Sequence, residues 1–211
     1  MAESVPRKTA ILLIQEGIRA ADPEKAIMEN VQIIDNKLKI KEHLYKLAGD
    51  IYVVGAGKAT GGMAQALERI LGDRIKEGVI AIPEEIVNNY SLRKIKIIGS
   101  THPKPSEKSV LAGKEVISIV KKASEEDLVI TLFSGGGSAL LEYPVEGISI
   151  NDIQYVSIKL MNAGANIVEL NAVRKHLSKI KGGWLAKHAY PSQLVSLMIS
   201  EVVGDLSLIH I

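Results

Sequence analysis

The chain has 211 residues, of which 46% are apolar and 24% charged, with a formal net charge of +2 and no cysteine. So small a charge, carried by scattered Lys and Arg, gives no electrostatic case for nucleic acid, and the lack of cysteine removes disulfide frameworks and thiolate metal sites. One Phe and one Trp leave the core to Ile, Leu, Val and Ala, which suits a parallel sheet covered by helices. Residues 1–10 are polar and show no secretory h-region, and no apolar run approaches the ~18–20 residues of a membrane span, so a soluble cytoplasmic protein is expected. In chain order, Ile11, Leu12, Ile14 and Ile18 recur at helical spacing within residues 7–21. Asp22 before Pro23 reads as an N-cap with proline at the first position of a second helix. Residues 37–47 are amphipathic and fit helix or strand. A short buried strand over 51–54 ends in Gly55-Ala56-Gly57-Lys58-Ala59-Thr60-Gly61-Gly62, and helical periodicity resumes over 63–71. Residues 78–82 give the next strand, and the alternation over 95–98 suits a sheet edge. Two prolines make 100–105 a loop, and Ser106 with Glu107 opens a helix to about 123. An apolar strand over 127–133 ends in Ser134-Gly135-Gly136-Gly137-Ser138, with a helix able to restart at Ala139. Asn151 and Asp152 then cap a helix to about 161. Residues 166–179 are helical, with Ile167, Leu170, Val173 and Leu177 on one face, and 194–199 is a last buried strand. Strands alternating with helices in a single domain predict an α/β layered fold with a mostly parallel sheet.

Two glycine-rich turns each follow a strand and lead into a helix. In an open α/β sheet ligands sit beyond the carboxyl ends of the strands, and N–H groups at a helix start favour an anion. The first turn reads G-x-G-x-x-x-G, one residue longer than the dinucleotide pattern, and it is not a Walker A loop. By itself it is equally a tight turn with close helix–sheet packing. Lys58 inside it is placed to stabilise a phosphoryl group. In the second turn Ser134 and Ser138 flank three glycines. A serine-nucleophile elbow needs glycine two residues after the serine, and Leu140 stands there, so donors to phosphate or carboxylate are the favoured role. Arg174, Lys175 and His176 are adjacent and cannot share one helix face; a solvated helix C-terminus accounts for them equally well. His102, in the loop, reads as incidental or capping.

Gly55 to Ala59, then Thr101-His102-Pro103, then Ser134-Gly135-Gly136-Gly137-Ser138-Ala139-Leu140-Leu141, then Asn171 through Gly183 occur in this order in the glycerate 2-kinases whose C-terminal part is the MOFRL domain. Ala20-Ala21-Asp22-Pro23 is similar to that family's N-terminal helix junction, and the chain resembles the family over roughly residues 7–205. The resemblance implies a Rossmann-like first domain and ATP-dependent phosphorylation of the 2-hydroxyl of D-glycerate with Mg2+ or another divalent cation, in a cleft closed by the second domain. It makes Lys58 the catalytic lysine. It gives Gly55, Gly57, Ser134, Gly135, Gly136, Gly137, Ser138, Asn171, Arg174 and Lys175 to phosphate or glycerate, and Glu201 and Asp205 to the metal. Many members carry Asp where this chain has Glu201. Trp184 also departs from the family, and residues 206–211 fit none of its patterns, reading as a non-native or vector-derived tail after one domain at 1–205. With the MOFRL domain absent, these residues alone are expected to show little or no kinase activity and to expose apolar surface that favours self-association; a homodimer stays open. Expected partners are D-glycerate and ATP, with no nucleic acid and no membrane. Two other readings are a non-catalytic module binding a phosphorylated small molecule, and a dehydrogenase using Glu84 or Glu85 after the strand ending at Ile82. The glycine spacing and the 173–183 motif count against the dehydrogenase.

Overall fold

A computed structural model describes residues 4–200. The chain opens with helix α1 (Val5–Ala20), which forms as its periodicity predicts but buries nothing among the described residues: Leu12, Ile14 and Ile18 are each at least 60% exposed. Helix α2 (Pro23–Asn30) begins at the foreseen cap, Asp22 Oδ1 accepting from Glu24 N at 2.8 Å. An antiparallel meander follows, built from β1 (Val31–Ile34), β2 (Lys37–Ile40) and β3 (His43–Lys46). This settles residues 37–47 as strands and adds β1, which sequence reading did not foresee. Asp35 and Asn36, with φ of 47° and 59°, make the two-residue turn that sets Ile34 opposite Lys37. One face of the meander is thereby apolar, and Val31, Leu38 and Ile40 are buried.

The main sheet holds β4 (Ile51–Ala56), β5 (Ile75–Pro83), β6 (Ile95–Ser100), β7 (Leu128–Ser134) and β8 (Gln193–Ile199) in the order β6-β5-β4-β7-β8. Every pairing is parallel. The α/β fold with a parallel sheet flanked by helices is as expected, and β6 lies at the edge where its alternation placed it. β4 is buried along its whole length, so it shows the continuous apolar run of a central parallel strand. Successive side chains on a strand point to opposite faces. Tyr52, Val54 and Ala56 therefore join one apolar cluster, with Val116 of α4 (Glu107–Val120). Ile51 and Val53 join another, with Met63 and Leu67 of α3 (Thr60–Leu71) and with the meander.

Two helix starts differ from expectation. After the second glycine turn only one helical turn forms, α5 (Gly137–Leu140). Helix α6 (Ile150–Asn162) is capped by Ser149 rather than by Asn151 and Asp152: Asp152 is the reciprocal third residue, its N–H donating to Ser149 Oγ at 3.2 Å and its carboxylate accepting from Ser149 N at 2.8 Å. Helices α7 (Ile167–His176) and α8 (Trp184–Ala189) complete the chain before β8. On α7 only Leu170 of the predicted apolar face is buried. Among the described residues no helix is long and apolar enough to cross a membrane.

Asp127 fastens the start of β7 to the start of β4. Its carboxylate accepts from Asp50 N at 2.6 Å, Ser124 N at 2.6 Å and Ser124 Oγ at 2.8 Å. Burial works to raise its pKa, but these hydrogen bonds outweigh it and hold the carboxyl below the ordinary Asp value. A depressed native pKa means that this group contributes stability above the unfolded carboxyl range and loses it as pH falls through and below that range. Asp127→Ala is expected to cost about 2–3 kcal/mol in urea unfolding at neutral pH, because two main-chain N–H groups lose their acceptor. The gap from wild type should narrow in acid; a gap that does not depend on pH would rule out this origin.

Candidate active site

Because β4 and β7 are parallel neighbours, with Ala56 opposite Phe133, the two glycine turns leave the same carboxyl edge side by side. Main-chain and hydroxyl contacts lace them together. Lys58 N donates to Gly135 O at 2.9 Å, and Ala59 N donates to Ser134 Oγ at 3.0 Å. Thr60 Oγ1 lies 3.2 Å from the same Ser134 hydroxyl. Gly57 sits at the crossing with φ of 149°, and a Cβ there would stand 2.0 Å from Ser134 Oγ. The Ser134 hydroxyl thus joins the turns. Gly55, the penultimate residue of β4, lies against the main chain of Leu132.

Gly136, with φ of 86°, forms the crest of the second turn. A Cβ built on it would lie 3.0 Å from His102 Cδ2 and 3.3 Å from Lys58 Cε. Lys58 and His102 therefore meet beside Gly136, and both are exposed. The convergence of His102 is new; its only sequence signal was membership of the Thr101-His102-Pro103 loop.

Arg174, near the end of α7, donates from Nη2 to Ser138 O at 3.3 Å. Asn171 lies one helical turn earlier. Ser138 Oγ, Asn171 Oδ1 and Arg174 Nε are buried without a hydrogen-bond partner among the described residues. Buried polar atoms ordinarily have partners, so three orphans, one of them on the guanidinium itself, point to a polar ligand or ordered water. Burial lowers the Arg174 pKa from the ordinary arginine value, with the Glu142 carboxylate acting in the opposite direction. Lys175 is half-buried, and no hydrogen bond or ion pair among the described residues links it to either turn. Behind this wall Glu142 and Lys181, two charges that sequence reading did not single out, form a fully buried ion pair. Among the described residues no group of three or more His, Asp or Glu could hold a metal ion. Glu201 and Asp205 lie outside the described residues, as does the 206–211 tail.

A parallel sheet carrying two joined glycine turns, an exposed lysine above them and a buried guanidinium beside them defines an α/β domain suited to anionic ligands. The chain belongs to the family described as Domain of unknown function (DUF4147), which matches residues 9–209. It is 43% identical over 203 residues to a glycerate 2-kinase of Pyrococcus horikoshii, covering 94% of this chain and 44% of that protein. The crystal structure of a glycerate kinase from Thermotoga maritima superposes with a TM-score of 0.81 at 33% identity, covering 96% of this chain and 46% of that one. A relative from Agrobacterium vitis, 43% identical over 163 residues, which are 74% of this chain and 40% of that protein, is named as a hydroxypyruvate reductase. The chain spans about half the length of the curated relatives it matches.

Proposed function

We propose that this chain is the phosphate- and substrate-binding domain of a glycerate 2-kinase, which transfers the γ-phosphoryl group of ATP to the 2-hydroxyl of D-glycerate. The observation that carries the reading is that one glycine turn brings together Lys58, beside Gly136, and Arg174, bonded to Ser138 O. Two anionic groups, a phosphate chain and a carboxylate, suit two cations set along one turn. In this reading the N–H groups of the second glycine turn face phosphate, those of the first turn being taken up by Ala81, Gly135 and Ser134, and Arg174, Asn171 and Ser138 hold the glycerate carboxylate, giving the orphaned polar atoms their partners. Lys58 offsets charge on the transferring group. The 2-hydroxyl oxygen bonds to the γ-phosphorus as the bond to the β–γ bridging oxygen breaks, ADP leaves, and the hydroxyl proton passes to solvent or base. Positioning and electrostatics supply most of the rate in such transfers. A bound divalent cation such as Mg2+ would neutralise the β- and γ-phosphates; the carboxylates assigned to it by resemblance are Glu201 and Asp205.

The reductase name of one relative keeps hydride transfer to a 2-keto acid as the second reading. Against it stands the glycine spacing of the first turn, one residue longer than the dinucleotide pattern. Phosphorus NMR of a mixture of D-glycerate, ATP and Mg2+ separates the readings, run on this chain and on a version extended to the length of its relatives. A 2-phosphoglycerate signal from the extended protein is the expected result. Consumption of NADH with hydroxypyruvate, and no phosphorylated product, would move the assignment to the reductase.

A further inference from the structure

The second glycine turn runs through α5 into residues 141–145, and this segment pairs with the chain just after α7. Pro144 bridges to Ser178, Lys179 N donates to Tyr143 O at 2.6 Å, and Val145 N donates to Leu177 O at 3.0 Å. At the inner end of this pairing lie Glu142 and Lys181, both 0% exposed, with Lys181 Nζ donating to Glu142 Oε2. The carboxylate has little freedom: its other oxygen accepts from Tyr143 N at 3.0 Å, while Glu142 N donates to Ser109 O at 3.1 Å. Arg174 is within electrostatic reach of both members of the pair. A buried ion pair is weak as a source of stability, since desolvation offsets most of the attraction. Its position behind the Ser138–Arg174 wall gives it another use. Arg174 and Lys181 together carry one positive charge more than Glu142 neutralises. A guanidinium is also the better partner for a carboxylate, through its planar pair of donors. Glu142 stands four residues after Ser138, whose carbonyl accepts from Arg174, so a Glu142 not held by Lys181 would compete with a ligand for the Arg174 guanidinium and offset its charge.

We propose that Lys181 is a positioning residue: by holding Glu142 it keeps the Arg174 guanidinium free for the anionic group of a ligand at Ser138 and Asn171. The inference rests on the reading of that wall as the anion site, and it adds the device that keeps the wall charged. It also makes anion binding sensitive to pH. The charged groups facing Lys181 are Glu142 and Arg174. Burial, helped by Arg174 and opposed by Glu142, pushes the Lys181 ammonium down to about 8. Raising the pH through that value therefore imitates removal of Lys181.

The test uses the 211-residue chain. Calorimetry measures binding of D-glycerate and of inorganic phosphate at about pH 7 and about pH 9.5, on either side of the Lys181 transition. Nitrogen-15 NMR follows the Arg174 Nε–Hε signal over the same range. Wild type, Lys181→Met and Glu142→Gln/Lys181→Met are compared. Loss of a charged hydrogen-bonding partner corresponds to about a 10- to 100-fold loss of affinity. That loss is expected in Lys181→Met at neutral pH and in wild type on going to high pH. The double variant, which replaces the pair by neutral groups of similar size, is expected to bind as wild type does at neutral pH and to show no fall. The Arg174 signal should move with a midpoint near 8 in wild type and stay fixed in the double variant. A wild-type Arg174 signal that stays fixed would overturn the proposal, as would a folded Lys181→Met that binds as wild type. If Lys181→Met does not fold, the wild-type titration and the double variant decide. If neither anion binds but the Arg174 signal moves as expected, Lys181's hold on Glu142 stands and the glycerate reading falls.

Discussion

Lys58→Ala is expected to lower turnover of the extended kinase by about 10²- to 10³-fold, the scale of removing one preorganised group that stabilises transition-state charge. The loss should fall mainly on kcat, because a group that counters charge building on the transferring phosphoryl acts more strongly in the transition state than on bound ATP. The melting temperature should scarcely change. The Lys58 side chain is exposed, and what residue 58 contributes to the fold is its main-chain N–H, which donates to Gly135 O at 2.9 Å and survives the substitution. Lys58→Arg keeps the charge but presents it as a planar fork and should recover only part of the rate. Full turnover in Lys58→Ala would remove the lysine from the chemistry and leave the two turns as a binding site alone.

Gly57→Ala is expected to be strongly damaging to fold and site together. Its Cβ would stand 2.0 Å from Ser134 Oγ and 2.7 Å from Ser134 O, at a φ of 149° that side chains rarely adopt. The backbone cannot yield, because Gly57 N donates to Ala81 O and the next residues are bonded to Gly135 and Ser134. Strained backbone and overpacking each cost about 1–3 kcal/mol, so a loss of about 3 kcal/mol or more is expected in urea unfolding, with loss of anion binding in whatever remains folded. Gly17→Ala is the control. It lies in exposed α1 with no atom within 4 Å of the added Cβ, and should be neutral or stabilise by up to about 1 kcal/mol. Equal behaviour of the two variants would mean that the turns are not packed as described.

The parallel sheet could be read from sequence because central strands such as β4 and β7 are unbroken apolar runs that stop at glycine. The meander could not, since four-residue strands are too short to show a period, though Asp35-Asn36 was an available turn signal. The cap of α6 was misplaced by two residues because Ser149, Asn151 and Asp152 are all competent caps, and only the reciprocal bond between 149 and 152 selects the first. Lys58, Ser138 and Arg174 stood out as residue types in unusual surroundings. That Ser134 would bind Ala59 depends on β4 and β7 being neighbours, which no local pattern encodes. Glu142 and Lys181 were passed over because charges are normally solvated, and their burial follows from how α4, α5 and the 177–183 segment enclose them.

The order of strands in the sheet also bears on how the site comes into being. β4 lies at the centre, yet its neighbour β7 follows only after β5 and β6, so the contact between Asp50 and Asp127 spans 77 residues and that between Ala59 and Ser134 spans 75. During synthesis the first glycine turn leaves the ribosome long before the second exists, and neither Gly57 nor Lys58 can take its final place until Ser134 and Gly135 arrive. Until then β4 presents an unpaired apolar edge, the kind of surface that recruits other chains. Non-local pairing of this kind is slow to form. The two joined turns are thus among the last parts of the sheet to be assembled, and a nascent chain halted before β7 would have neither turn in place.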